Sequence, residues 1–271
     1  VYSGTTFTKV SGRILGAHQK IDRIARRHLR TLISANEDFP LIREILQFEG
    51  LNGPDGIKRK SPAKDEPWHF YNPADTSDTT LLELIADHYQ QLVIALKDHN
   101  REHASFQAAW MAHAIVDGLT PAHHYPYDEK LSELRGGEGQ ESRTTIKAKL
   151  VMPGETRRAK VKNNWKMWGP KGLFTTHTMF EMGVATLIMP LTFSEVRPRL
   201  NDTTRAEQLG VVEYFKQAAQ EVAALQLYEA YYRKGWTPRM ALRIRQDLGP
   251  IMVRTVTLSW WLAAKEAGLN K

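Results

Sequence analysis

Residues 104–117 set Phe106, Ala109, Trp110, His113 and Val116 at three- and four-residue spacing, which predicts a helix with one apolar face. The same segment carries His113 and Asp117, four residues apart. Side chains at that spacing stand one turn apart on the same face. An imidazole and a carboxylate in an apolar stripe must be satisfied inside the fold. The sequence leaves three readings of the pair alone: a metal site, two buried polar residues, or a surface ion pair.

Helical periodicity recurs along most of the chain. Residues 13–34 carry Ile14, Ile21, Ile24, Ala25, Leu29 and Leu32, and His18 shares their inward face by its spacing from Ile14 and Ile21. Residues 78–97 follow a Ser77/Asp78 cap and carry Leu81, Leu84, Ile85, Leu92 and Leu96. A further helix over 175–189 stops near Pro190. A long one runs from about 203 to 233 and is ended by Gly235 and Pro238, and a last pair covers 238–247 and 250–267. Two stretches differ. Residues 49–76 are rich in Gly, Pro, Asp and Asn and read as a long loop, of a length that is usually functional or disordered. Residues 125–174 contain "TIKAKLVM", "PGE" and "RRAKVKNNWKMW", whose alternation around a Pro-Gly turn predicts a β-hairpin. The expected fold is mainly α: a single multi-helix domain over residues 1–271 with a basic insertion at about 125–174.

Bulk properties remove some function classes. The 271 residues include no cysteine, which excludes disulfides and thiolate metal sites. A transition metal would have to be held by His, Asp and Glu. The longest apolar run, near 182–193, is broken by Gly183, Pro190 and Thr192 and is too short to span a bilayer. No Lys/Arg-led apolar segment opens the chain, so no signal peptide is expected in it. The start on Val1 predicts a processed or trimmed product.

The net charge of +7 is concentrated. Between Arg143 and Lys171 stand nine basic residues against the single acid Glu155, so that segment carries +8 and the remainder −1. Trp165 and Trp168 lie among these charges. Such a composition suits an anionic lipid surface, a nucleic-acid backbone, or a solvated hairpin that only covers the domain.

Further titratable residues extend the first pair. His123 completes the spacing H-x3-D-x5-H just after the Thr120-Pro121 break, and His177 and Glu181 repeat the four-residue spacing on another helix. His69 sits in "WHFYNPAD", fourteen residues after Asp55 in "GPDG". The full order, with His18 first, resembles the zinc-dependent phospholipase C and S1/P1 nuclease superfamily over roughly residues 10–190. The "HFYNP" stretch and the Asp55-to-His69 spacing look more like the phospholipase C branch, and the ending "WWLAAKEAGLN" is faintly like the nuclease branch.

The resemblance implies an α-helical phosphodiester hydrolase with two to three zinc ions. It implies that Asp55, His69, His113 and Asp117 hold one zinc, that His123, His177 and Glu181 hold a second, and that His18 and Asp117 hold a third. Asp55 is then also the general base that takes the proton of the attacking water. One departure stands out. In the superfamily an N-terminal Trp usually helps to hold the third zinc, whereas here the first Trp is Trp68. The start is altered, the third site is built differently, or it is empty. If that zinc is missing, the rate is expected to fall while the other two sites still bind.

The expected substrate is a phosphodiester, foremost a phospholipid head-group linkage. The alternatives are a single-strand nuclease of the S1/P1 type and a catalytically impaired zinc-binding protein that binds lipid or nucleic acid through residues 143–171. By analogy with the superfamily the protein is expected to be secreted or in the cell envelope. Among the remaining residues, His124 is expected at the rim of the site and His88 as a satisfied core histidine. His28, His99 and His103 are expected in solvent, and Trp260 and Trp261 in the core. Phe70 and Tyr71 suit a pocket wall or packing equally.

Overall fold

The computed structural model describes residues 2–4, 12–34, 38–60, 68–139, 142–143 and 145–269. Among these the chain is built of helices, with no strand element. They are α1 (Ala17–Leu29), α2 (Ile42–Ile45), α3 (Pro54–Lys60), α4 (Thr80–Lys97), α5 (Arg101–Gly118), α6 (Tyr127–Leu134) and α7 (Ile146–Leu150). There follow α8 (Arg157–Trp168), α9 (Leu173–Ile188), α10 (Leu200–Ala224), α11 (Leu227–Lys234), α12 (Pro238–Arg243) and α13 (Gly249–Glu266). The mainly α expectation holds.

Helix α5 is the centre of the molecule. Asn100 caps it by accepting a hydrogen bond from the His103 N–H at 3.1 Å. The residues before it make a short turn back to α4, so the two helices pair as neighbours. Helices α1, α2 and α13 also pack on α5. Its alanines, including Ala104, Ala108, Ala109 and Ala112, are buried and let these neighbours approach closely. Trp260 of α13 is fully buried, and its indole N–H donates to the Ala108 carbonyl at 3.0 Å. At the C-terminal end of α5, a Cβ on Gly118 would lie 2.5 Å from both Leu81 Cδ2 and Phe215 Cζ. Only hydrogen fits there, so glycine sets how closely α4 and α10 press on that end of α5.

Several boundaries differ from the sequence expectations. Helix α1 begins at Ala17, and Ile14 before it is 55% exposed, so Ile14 is not part of the inward face that buries His18. The region read as a loop over 49–76 contains a 3-10 turn at Gly50–Asn52 and helix α3, which puts Asp55 in a first helical turn. The cap of α4 is Thr79. Asp78 instead accepts from the Asn72 N–H at 2.8 Å and closes the preceding turn. The long helix expected over 203–233 is two helices. Gly210 at φ 72° kinks α10, and Gln226 in a left-handed conformation separates α10 from α11. Helix α12 runs through one π-helical turn, Ile244–Leu248, into α13.

The β-hairpin expected within 125–174 is not formed. Its two presumptive strands are helices α7 and α8. The Thr145 and Thr156 hydroxyls accept from the N–H groups of Ala148 and Ala159, each at 3.1 Å, and so start the two helices. Helix α8 is anchored through its polar side. Asn163 donates to the carbonyls of Leu134 and Pro153, and Asn164 both donates to the Met152 carbonyl and accepts from its N–H. Met167 joins Phe70, Tyr127, Leu131 and Met152 in a small apolar cluster apart from the main core.

Candidate metal centre

Four elements deliver the donor groups of the two buried triads. Helix α5 presents His113 and Asp117 side by side, both nearly solvent-free. The helix ends at Gly118, and Thr120 turns its hydroxyl back onto the Val116 carbonyl at 2.8 Å. Pro121 then opens a 3-10 turn, Pro121–His124, that swings His123 back to the same spot. Helix α9 adds His177 and Glu181 one turn apart, and α1 adds His18.

Two triads result. In the first, His18, His113 and Asp117 are all buried and their ligand atoms lie within 4.8 Å of one another. The His18 and His113 rings stack at 3.9 Å, nearly parallel. His18 Nε2 is 3.3 Å from Asp117 Oδ1, and His113 Nε2 is 3.4 Å from Asp117 Oδ2. In the second, Glu181 Oε1 lies 2.9 Å from His123 Nε2 and 3.5 Å from His177 Nε2. His123 also turns Nδ1 toward Asp117 Oδ1 at 3.7 Å, so Asp117 stands between the triads.

The other expected ligands stand at the edge. Asp55 Oδ1 is 3.8 Å from His113 Nε2, and its side chain is 20% exposed against 3% for Asp117. His69 belongs to neither triad. Its ring lies 5.1 Å from that of His123, and the Tyr71 N–H donates to the His123 carbonyl at 3.2 Å, which ties this stretch to the centre. His69, His113 and Asp117 line a common narrow cleft, with a cavity volume of ≈ 10 Å³, together with Pro54, Trp68 and Trp110.

Electrostatics differ within the cluster. Burial works against charge on His113, but Glu49 and Asp117 outweigh it and raise its pKa well above the ordinary value. Burial lowers the pKa of His18, helped by neighbouring His113, and burial lowers that of His123. Burial would raise Asp117 and Glu181, yet the charge of the N-terminal amino group, followed by the imidazoles around each, holds both carboxyls well below the usual range. Both therefore stay ionised and acceptor-only.

The residues present fit a metal. The buried nitrogens His18 Nδ1 and Nε2, His113 Nε2, His123 Nδ1 and His177 Nδ1 have no hydrogen-bond partner. Buried imidazole nitrogens are ordinarily satisfied, and a cation among them and the carboxylates satisfies several at once. An all-N/O donor set of His with Asp and Glu suits Zn²⁺.

Sequence reasoning missed Glu49. It is fully buried in the turns between α2 and α3, and both its oxygens lie 3.3 Å from His113 Nδ1. A carboxylate accepts, so Nδ1 carries a proton, and loss of the Nε2 proton leaves a lone pair facing Asp117 and Asp55. Such an outer carboxylate fixes ring orientation and raises ligand basicity. Asp22, one turn beyond His18 on α1, was missed as well. It is fully buried with no hydrogen-bond partner for either oxygen, and burial with nearby Glu49 raises its pKa well above the ordinary value.

Among the other histidines, His88 is in the core as expected but only half satisfied: Nδ1 meets Gln107 Oε1 at 2.6 Å, while Nε2 is buried without a hydrogen-bond partner. His124 donates from Nε2 to the Gly118 carbonyl at 2.8 Å, and burial lowers its pKa to about 4, so it braces the turn that aims His123. His99 is exposed, but His28 is buried and His103 half-buried beside Gln107. The expectation of solvent for His28 fails because α1 is covered by α13, α5 and α9, which leaves little of its circumference open. Trp260 and Trp261 are buried as expected, and Phe70 and Tyr71 are buried packing residues. The chain matches no protein-family model, no curated protein and no solved structure.

Proposed function

We propose that this chain is a zinc-dependent phosphodiester hydrolase of the phospholipase C type. The observation that carries the reading is Asp117, a buried carboxylate set between two triads of N/O donors at the floor of a cleft. The proposed ligands are His18, Asp55, His69, His113, Asp117, His123, His177 and Glu181, for two to three zinc ions. Zinc bound by such a cluster neutralises the non-bridging phosphate oxygens and lowers the pKa of a water.

The chain's own groups have separable tasks. Asp55 is the more open carboxylate beside His113 and is the base that accepts the proton of the attacking water. Glu49 holds the His113 ring. Trp68, Leu84 and Trp110 wall the cleft and limit access of bulk water.

Metal analysis of the purified protein is expected to find two to three zinc ions per chain, and none would remove the whole reading. Parallel assays on a phosphorylcholine ester and on single-stranded DNA separate the two enzyme classes. Zinc without turnover on either would favour a binding protein. Asp55→Asn is expected to abolish turnover while zinc stays on the second triad, and full activity in that variant would remove Asp55 as the base.

A further inference from the structure

Helix α8 is packed inside out. Its inward side holds Asn163, Asn164 and Met167, while Val161 is 71% and Trp165 69% exposed. Val161, Trp165 and Trp168 follow one another at four and three residues, so they form one ridge. Leu150 at the end of α7 is 55% exposed and lies beside this ridge, because the Trp168 N–H donates to its carbonyl at 2.9 Å. Phe174 on α9 is 38% exposed and meets the Trp168 ring at 4.8 Å. A folded chain gains nothing from holding so much apolar surface in water. Lys160 lines the same groove as Val161, Trp165 and Trp168, and the segment 143–171 that carries the face has nine basic residues against one acid, Glu155.

We propose that this face docks the protein onto anionic phospholipid bilayers, with Trp165, Val161, Leu150 and Phe174 entering the headgroup–acyl boundary and the Lys and Arg side chains meeting lipid phosphates. Charge complementarity selects an anionic partner. The aliphatic members choose between anionic partners. Trp165 would stack on a base, but Val161 and Leu150 gain from an acyl environment and nothing from a nucleic-acid strand. The indole N–H of Trp168 is already used inside the protein.

The face is tied to the candidate centre. Met167, on the back of α8, packs with Phe70 and Tyr127, whose rings lie 5.3 Å from His123 and 5.1 Å from His177. Phe174 shares α9 with His177 and Glu181. Docking would hold the centre about one helix away from the lipid surface; its use there rests on the phosphodiesterase reading, although docking itself does not.

The test is co-sedimentation of the zinc-loaded full chain with vesicles of phosphatidylcholine, with and without phosphatidylglycerol. Binding is expected only to the anionic vesicles, with a blue shift of tryptophan emission, and is expected to be lost in high salt. Trp165→Ala and, separately, the pair Lys160→Glu with Lys166→Glu are each expected to weaken it about tenfold or more. Both are surface changes expected to leave hydrolysis of a water-soluble phosphodiester intact. No vesicle binding, equal binding to neutral vesicles, indifference to both variants, or tighter retention on a single-stranded oligonucleotide would each overturn the proposal. Docking without any hydrolysis would leave it standing and strike the enzymatic reading instead.

Discussion

Helices α5 and α8 depart from ordinary amphipathic packing in opposite directions. Helix α5 buries an imidazole and a carboxylate that a helix usually leaves in water, while α8 exposes a tryptophan and a valine that a helix usually buries. Each arrangement costs free energy in isolation. In α5 the cost is offset by convergence, because His18, His123, His177 and Glu181 come to the same place. In α8 no described side chain covers the ridge, and the helix is held instead by amide side chains bonded to backbone. A misplaced residue is thus informative in proportion to what surrounds it. A polar one points to what it binds inside the protein, an apolar one to what covers it from outside.

The largest effect that would break this contrast is expected at Asp117. Asp117→Asn keeps the shape but removes charge between the triads, and turnover of a soluble phosphodiester is expected to fall about a thousandfold or more. At least one zinc per chain is expected to go with it, by metal analysis. Retained zinc and turnover would mean that Asp117 is only a packed carboxylate.

Two tryptophans give the next test. Trp260→Ala removes a fully buried indole that also satisfies the Ala108 carbonyl, and is expected to destabilise the fold by about 3–5 kcal/mol. Trp165→Ala is expected to change stability by no more than about 0.5 kcal/mol. Chemical denaturation measures both, and a comparable loss for the two would show that the α8 ridge is core after all.

Glu49→Gln keeps the size of the partner of His113 and lowers its strength as an acceptor. Zinc affinity is expected to drop about 10–100-fold in a chelator competition, with the fold retained. The smallest effect concerns acidity. His113 is raised by Glu49 and Asp117, so zinc must displace a proton from it, whereas the lowered His18 and His123 are already neutral near pH 7. Zinc on the His113 triad is therefore expected to be lost first as pH falls, and its affinity to keep rising as pH climbs toward the raised pKa. Simultaneous loss from both triads in an acid titration would break that distinction.

What the sequence made legible was local. Three- and four-residue spacing identified most helices, and the spacing of His113 with Asp117 and of His177 with Glu181 put each pair on one face. Pro121 marked where α5 stops and the chain carries His123 back. The failures have equally physical causes. In "RRAKVKNNWKMW" basic and apolar residues alternate briefly, which imitates a strand, while Thr145 and Thr156 start helices without the acidic partner three residues on that makes a capping box recognisable. The long helix is kinked at Gly210 and broken at Gln226, both at positive φ, which leaves no trace in periodicity. Glu49 meets His113 across 64 residues of chain, and no local pattern encodes such a distance. His28 is buried through the covering of α1 by three other helices, a fact of assembly rather than of the α1 sequence.

The hydrogen that stands for a side chain at Gly118 has a consequence for how such a chain drifts. Leu81 and Phe215 already occupy the space a methyl group would need, and Asp117 is the adjacent residue. Enlargement at position 118 alone would push Asp117 out of register with His18 and His123. A lineage that acquires alanine there is expected to have trimmed position 81 or 215 first, so the three positions should vary as a set. The order of those changes, and not the alanine itself, would decide whether the chain keeps its centre.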